Sequence, residues 1–325
     1  MENYIITGAT GYIGSMLVKY IMEKDKNAGV TALVRDRRKA ENILPQGAQI
    51  VEADLCDARC AEWLSESGLK ADYIIHCASV TASVEMITHP VEVTESIVNT
   101  TQTILAYARR CRIKSMVYLS SMEVYGKIDY PKGYHITEDE ASQGEVELSA
   151  SRSCYPLGKR MAENICFSYF KEYGIPVKIA RLAQTFGEGV RQSDKRVFAQ
   201  FAEAVKAGND IVLHTQGNSL GNYCGIHDAV SGILTILKKG VSGEAYNVVN
   251  EANTMTIRQM AELVAAKIAG GKVRVVYDIP DDNKYGYAAD TALRLSGKKL
   301  RSLGWEPKED LENMYFQIIS GHRST

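Results

Sequence analysis

The chain has 325 residues, 45% of them hydrophobic and 24% charged, with a formal net charge of −1. That length carries one large α/β domain or two smaller ones, and the near-neutral balance gives no bulk attraction to nucleic acid or an anionic membrane. Seven scattered cysteines without a CxxC pair argue against a disulfide framework or a zinc site, so reduced thiols, no metal and a cytoplasmic location are expected.

In chain order, apolar runs at 4–7, 30–34, 49–53, 73–76, 116–120 and 177–181 read as strands, and amphipathic stretches at 12–23, 57–65, 91–110 and 156–173 read as helices between them. No apolar run reaches the 18 or more residues of a membrane-spanning helix. Alternating strands and helices make βαβ units, and right-handed crossovers then give a doubly wound parallel sheet covered on both faces. Beyond residue 182 the pattern loosens into glycine-rich polar segments, with helices near 197–207, 228–238, 257–268 and 308–319 and strands near 211–213 and 246–249. The expected fold class is therefore α/β: a doubly wound parallel sheet over 1–182, with a smaller mixed C-terminal substrate lobe over 183–325.

The stretch "YIITGATGYIGSML" sets Gly8, Gly11 and Gly14 at the first strand-to-helix turn. There a bare backbone approaches a pyrophosphate at a helix N-terminus. The glycine spacing alone is a weak sign of a dinucleotide, and its position is what makes it a strong one. Thr10, Tyr12 and Ile13 share this turn and are assigned to the cofactor with the glycines. A site selective for NAD carries an acid at the end of the second strand. Arg35 stands there instead, in Val34-Arg35-Asp36-Arg37-Arg38, and could pair with a 2′-phosphate, which leans towards NADP. A solvated arginine loop fits the same residues, and Asp36 is a candidate helix cap. Asp54 and Leu55 follow the third strand, where adenine would lie. Cys77, Ala78 and Ser79 follow the fourth, leaving room for the ribose and nicotinamide, while His76 reads as a strand-end core histidine.

The fifth strand ends in Ser120 and Ser121, followed by Met122 and Glu123, and strand C-termini of an open α/β sheet face the ligand crevice. The segment "SRSCYPLGKR" then opens a long helix with Tyr155 and Lys159 four apart, on one helix face. A surface pair has the same spacing. Beside Ser121, however, phenol and ammonium make a proton relay: Lys159 and the nicotinamide charge lower the Tyr155 pKa, and the phenolate takes a proton from a substrate hydroxyl that Ser121 also holds.

These motifs together resemble the extended short-chain dehydrogenases/reductases, specifically the nucleotide-sugar epimerases and dehydratases. The resemblance spans essentially the whole chain, through "TGATGYIG", Asp54-Leu55, "HCAS", "LSSMEVYG", Tyr155-x-x-x-Lys159 and "ARLAQTFGEG". "RSCYPLGKR" and "SSMEVYG" are similar to the versions in UDP-glucuronate decarboxylases and sugar 4,6-dehydratases. The resemblance implies a Rossmann domain, NAD as cofactor and a nucleotide-sugar substrate oxidised transiently at C4, while the long helices 91–110 and 156–173 could pair as a homodimer bundle. It also implies a supporting role for Asn99, substrate contacts for Ser83, Ser121 and Gln184, and a place for Glu123 beside the sugar's C5. Extended backbone past Ser121 would aim Glu123 to the same side and Met122 away.

Three departures stand out. Met122 sits where dehydratases place an acid, Gln184 replaces the usual asparagine, and Gly221 falls where the family offers an arginine to the diphosphate. Arg191, Lys195 or Arg196 could supply the missing charge. Two alternatives remain at this stage: a net NADPH-dependent reductase of a ketone or aldehyde, and a non-catalytic dinucleotide sensor. Intact Ser121, Tyr155 and Lys159 speak against the second.

Overall fold

A computed structural model of the chain describes residues 1–131, 133–280 and 292–321. Six strands alternate with helices: β1 (Asn3–Thr7), β2 (Gly29–Val34), β3 (Gln49–Glu52), β4 (Tyr73–His76), β5 (Ser115–Ser121) and β6 (Val177–Leu182). A seventh strand, Ala245–Val248, joins them, and the sheet order is Ala245–Val248, β6, β5, β4, β1, β2, β3, with every pair parallel. The order reverses direction at β1, which opens a crevice at the C-terminal ends of β1 and β4.

Helices α1 (Tyr12–Lys24), α2 (Arg37–Ile43), α3 (Cys60–Glu66), α4 (Ser83–Thr88), α5 (Pro90–Cys111), α6 (Cys154–Tyr173), α7 (Val197–Ala207) and α8 (Ile226–Lys239) follow in chain order. The sheet is buried on both faces, which is why its strands read as apolar runs rather than alternating ones. Ile6 and Val117 face a layer built on Leu17 and Ile21 of α1 and Ile233 and Ile236 of α8. Ile5 and Met116 face the opposite layer, with Leu64 of α3, Ile97 and Ile104 of α5, and Ala162 of α6. On α6, Gly158 lets α5 come close, since a Cβ there would lie 3.1 Å from Ile97 Cδ1.

A third core holds the C-terminal lobe, where Phe186 stacks on Phe198 at 4.3 Å and packs with Phe201, Met260 and Tyr315. The strand expected near 246–249 belongs to the central sheet rather than to this lobe, because α8 crosses back and docks Ala245–Val248 on β6. The helix expected from 308 begins at Leu311. The Asp228 carboxylate holds the amides of Lys308 and Glu309 at 2.8–2.9 Å, which keeps them out of the helix. Among the described residues, no helix is long and apolar enough to cross a membrane.

Candidate active site

The glycine turn is held open by its own geometry. Gly8 sits at φ +62°, and a Cβ there would fall 2.8 Å from Ala78 N. At Gly14 a Cβ would fall 2.4 Å from the Gly8 carbonyl, which lets the helix close onto the strand. Gly11 caps α1 without a side chain, and no acid lies in the first helical turn. The positive helix end therefore keeps free N–H groups. A Cβ at Gly11 would meet only the Gly8 carbonyl, at 3.0 Å. This open, uncapped turn fits a dinucleotide pyrophosphate, with Thr10, Tyr12 and Ile13 around it.

A strap from the loop after β6 crosses the turn. Tyr12 donates to the Glu188 carbonyl at 2.8 Å, Lys19 pairs with the Glu188 carboxylate at 2.8 Å, and His227 stands 3.1 Å from its second oxygen. Arg191 Nη2 donates to the Thr10 carbonyl. Sequence reading assigned Arg191 to the substrate, and the structure brings it to the cofactor turn instead. Sequence reading missed Glu188, whose partners Tyr12 and Lys19 lie 176 and 169 positions away.

At the end of β2, Arg35 is exposed, while Asp36 caps α2 by accepting from Lys39 N at 2.9 Å. Asp54 is exposed and accepts from Cys56 N at 2.9 Å, and Leu55 beside it is buried in the core. Cys77 and Ala78 donate their amides to Thr7 Oγ1 at 3.1 Å each, and the Ser79 hydroxyl donates to the Val80 carbonyl at 3.3 Å. Thr7 spends its own proton on His76 Nδ1 at 2.7 Å. His76 Nε2 then faces Thr101 and Thr100 at 3.3 and 3.4 Å, and both of these donate their protons to α5 carbonyls. The network thus assigns the proton to Nε2. Burial pushes the imidazole down to about 3, so His76 is a neutral core residue. Asn99 lies on α5 beside Thr100, half-buried.

Ser121 ends β5, and Tyr155 and Lys159 lie on the first turns of α6, both buried. Lys159 Nζ donates to the Leu119 carbonyl at 2.9 Å and stands 5.7 Å from the Tyr155 ring centre and 4.9 Å from that of Tyr118. Burial lowers the ammonium to about 8. The phenol of Tyr155 is pushed up, first by burial and then by the Glu123 charge, while a bond from Ser121 and the guanidiniums of Arg152 and Arg196 pull it back. Sequence reading had Lys159 lowering Tyr155. In the chain alone burial raises Tyr155, and Lys159 is itself desolvated and aimed at a carbonyl.

Past Ser121 the strand does not continue. Met122–Tyr125 form a 3₁₀ turn, with Ser121 Oγ accepting from Glu123 N at 3.2 Å. The alternation expected for Glu123 and Met122 therefore fails, and it is the turn that carries Glu123 to Arg152, 2.9 Å away. Met122 packs against the core. Burial raises the Glu123 carboxyl and Arg152 opposes this. Arg152 also donates to Ser83 Oγ at 3.2 Å and Met86 Sδ at 3.1 Å. Sequence reading missed Arg152, although it stands inside the quoted segment three residues before Tyr155.

In the C-terminal lobe Gln184 pairs with Tyr223 in a short parallel ladder. At Gly221 a Cβ would lie 2.2 Å from Tyr223 Oη. The phenol fills the space that a side chain at 221 would need. Arg196 lies close enough to Tyr155 and Tyr12 to act on both electrostatically, but its guanidinium is held by Asp194 at 2.6 Å.

Residues 4–249 match the model of the NAD dependent epimerase/dehydratase family, and the chain belongs to that family. UDP-glucuronic acid decarboxylase 3 of Arabidopsis thaliana is 28% identical over 313 residues, 94% of this chain and 85% of that protein. UDP-glucose 4-epimerase of Thermotoga maritima, solved with UDP-glucose, shares the fold with a TM-score of 0.83 at 22% identity, over 99% of this chain and 98% of that one. UDP-glucuronic acid 4-epimerase of Bacillus cereus, solved with UDP-glucuronic acid and NAD, has a TM-score of 0.79 at 18% identity, over 98% of each chain.

The buried ammonium has a measurable cost. With Lys159 near 8 in the fold and 10.5 outside it, the unfolded chain holds more protons between those values. Burial of the charge then costs roughly 3 kcal/mol at pH 7, at 1.36 kcal/mol per pKa unit, and the cost fades as pH rises from 8 to 10.5. Lys159→Met in the ligand-free protein is expected to melt above wild type at pH 7, with the gap narrowing towards pH 10.5. Thermal melts at both pH values check this, and a variant melting lower at pH 7 contradicts it.

Proposed function

We propose that this chain is an NAD(P)-dependent enzyme that modifies a nucleotide sugar by transient oxidation at C4. The observation that carries this reading is the meeting of Ser121, Tyr155 and Lys159 at the end of β5, the end of the sheet at which ligands of open α/β sheets bind. Gly8, Gly11, Gly14 and the first turn of α1 would hold the dinucleotide pyrophosphate, with Cys77, Ala78, Ser79 and Asn99 lining its path. Bound nicotinamide would supply the hydride acceptor and, later, the donor. Tyr155 takes the proton of the C4 hydroxyl, and Ser121 holds the same oxygen. A bound nicotinamide cation would counter the burial that raises Tyr155. Once C4 is a ketone, the bonds at C5 weaken, and Glu123 is the carboxylate set to take a C5 proton. Met122 cannot protonate a departing 6-hydroxyl, which weighs against plain 4,6-dehydration. A C5 proton taken by Glu123 and returned fits epimerisation at C5, whereas loss of a C6 carboxylate as carbon dioxide breaks the C5–C6 bond and takes no C5 proton. Arg196, drawn from Asp194, and Lys195 are the cations nearest to hand for the diphosphate.

Two variants test this. Tyr155→Phe should lower turnover by about two to four orders of magnitude while dinucleotide binding persists. Glu123→Gln should still reduce bound dinucleotide on substrate addition and then stall at the 4-keto stage. Rapid-mixing absorbance of the reduced nicotinamide, with product analysis, reads both. Unchanged turnover in Tyr155→Phe would remove it from the relay, and normal product from Glu123→Gln would end the C5 role.

The exposed guanidinium of Arg35, at the end of β2, favours a second reading on the cofactor: NADP rather than NAD, and with it net reduction of a ketone or aldehyde. Arg35→Ala should then weaken NADP more than NAD, since only NADP offers a 2′-phosphate. Equal losses in fluorescence titrations would point back to NAD.

A homodimer through α5 and α6 completes the proposal. Val91, Met161 and Phe167 are exposed apolar side chains on these helices. A second copy packed on these helices would take that apolar surface out of water. Met161→Asp should shift the mass measured by light scattering from dimer to monomer, and a wild type that is monomeric at micromolar concentration contradicts the pairing.

A further inference from the structure

Lys159 is buried with few partners for its charge. It is 3% exposed, and its three N–H donors meet one hydrogen-bond acceptor among the described residues, the Leu119 carbonyl at 2.9 Å. Glu163, one turn further along α6, gives its carboxylate to Arg181 at 2.8 Å. What faces the ammonium is the ring of Tyr118, whose centre lies 4.9 Å from Nζ, nearer than the Tyr155 ring at 5.7 Å. Tyr118 is 1% exposed and stands on β5 one residue before Leu119. Its hydroxyl is buried without a hydrogen-bond partner among the described residues. An orphaned buried hydroxyl is a cost, so what Tyr118 brings to this place is its ring. His76 sets that ring, 5.7 Å away centre to centre with the planes 31° apart.

We propose that Tyr118 is a positioning residue for the relay, its ring face being the seat that keeps Lys159 an ammonium and holds it between β5 and α6. This rests on the C4-oxidation reading above, in which a charged Lys159 favours the Tyr155 phenolate. An aromatic face attracts a cation within about 6 Å of its centre, and more strongly where water is excluded. Burial lowers the ammonium to about 8, so a modest further fall would leave much of Lys159 uncharged near neutral pH. The other groups facing Nζ do little to prevent this. Glu163 is engaged by Arg181. His76 is neutral, and burial pushes up the thiols of Cys77 and Cys166 and the phenol of Tyr155, which keeps all three protonated in the free chain. Without the ring's attraction Lys159 would lose its proton at lower pH, and a neutral amine does not favour a phenolate.

Carbon-13 NMR of the full chain, labelled at the lysine Cε, reads the titration of Lys159, its signal being the one missing from Lys159→Met. Wild type is compared with Tyr118→Phe and with difluoro- and pentafluorophenylalanine at position 118, which keep the ring and progressively drain its face of negative charge. Side-chain volume is nearly constant, so a packing defect would not follow the fluorine count. Tyr118→Phe should titrate with wild type, and fluorination should lower the Lys159 pKa stepwise, by about one unit in all. At pH 8 that drop takes the charged fraction from about a half to about a tenth. Rapid-mixing reduction of the nicotinamide in the NAD-loaded enzyme should then slow about fivefold in the pentafluoro form and stay at the wild-type rate in Tyr118→Phe. A Lys159 titration indifferent to fluorination, or one that shifts as far in Tyr118→Phe, overturns the seat. A shifted titration with an unchanged reduction rate overturns the role in the relay. A shifted titration in a protein that no UDP-, dTDP-, CDP- or GDP-sugar reduces leaves the seat standing and overturns the C4-oxidation reading instead.

Discussion

The constraint the site depends on is the approach of the Gly8 backbone to that of Ala78, which leaves no room for a Cβ. It joins the ends of two neighbouring strands, where Thr7 pairs in register with His76. The Thr7 hydroxyl takes the amides of Cys77 and Ala78 and gives its proton to His76. His76 is in turn held by Thr100 and Thr101 of α5. That helix lies tight against α6 through Gly158, and Lys159 of α6 returns to the Leu119 carbonyl of β5. A closed circuit of short contacts therefore runs from the phosphate turn through a buried histidine to the Tyr155–Lys159 pair. Geometry held this way is what a hydride- and proton-transfer site requires, since misplacement by an ångström is costly.

Two arginine–glutamate pairs show why burial has to be weighed before function is inferred from charge. Arg181 and Glu163 are only 8% and 11% exposed, and Arg181 also bonds Tyr125 and the Glu138 carbonyl. Nearly every donor has a strong acceptor, so removing either partner would strand a buried charge, and the pair is structural. Arg152 and Glu123 have similar partners at similar distance, yet they are half-exposed and loosely satisfied. In water such a pair contributes little to stability.

How much of this was legible in the sequence depended on range. The strands at 73–76 and 211–213 and the helix at 197–207 follow from local pattern, and the structure has them at those bounds. Glycines at a strand-to-helix turn and a tyrosine four residues before a lysine are likewise local signals. By contrast, α2 is seven residues of mostly polar sequence with one buried position, too short to show a helical period. The destination of Ala245–Val248 was decided by docking on β6, some 65 residues earlier in the chain, and no window of sequence holds both strands. Arg152 was visible as a letter beside Tyr155. Its meaning needed Glu123, 29 residues away, and a turn where extended backbone was expected.

The C-terminal lobe carries the same lesson into substrate recognition. At Gly221 a Cβ would run into the Tyr223 phenol, and Tyr223 is buried there. Restoring an arginine at 221 without shrinking Tyr223 would force a clash rather than rebuild a contact. In the segment before α7, Arg196 is tied by Asp194 and Arg191 by the Thr10 carbonyl. Both ties are exposed and therefore cheap to exchange, whereas a diphosphate offers several charge-assisted acceptors at once. The loop that fastens itself to the cofactor turn therefore does so through an exposed arginine contact that a stronger acceptor could replace.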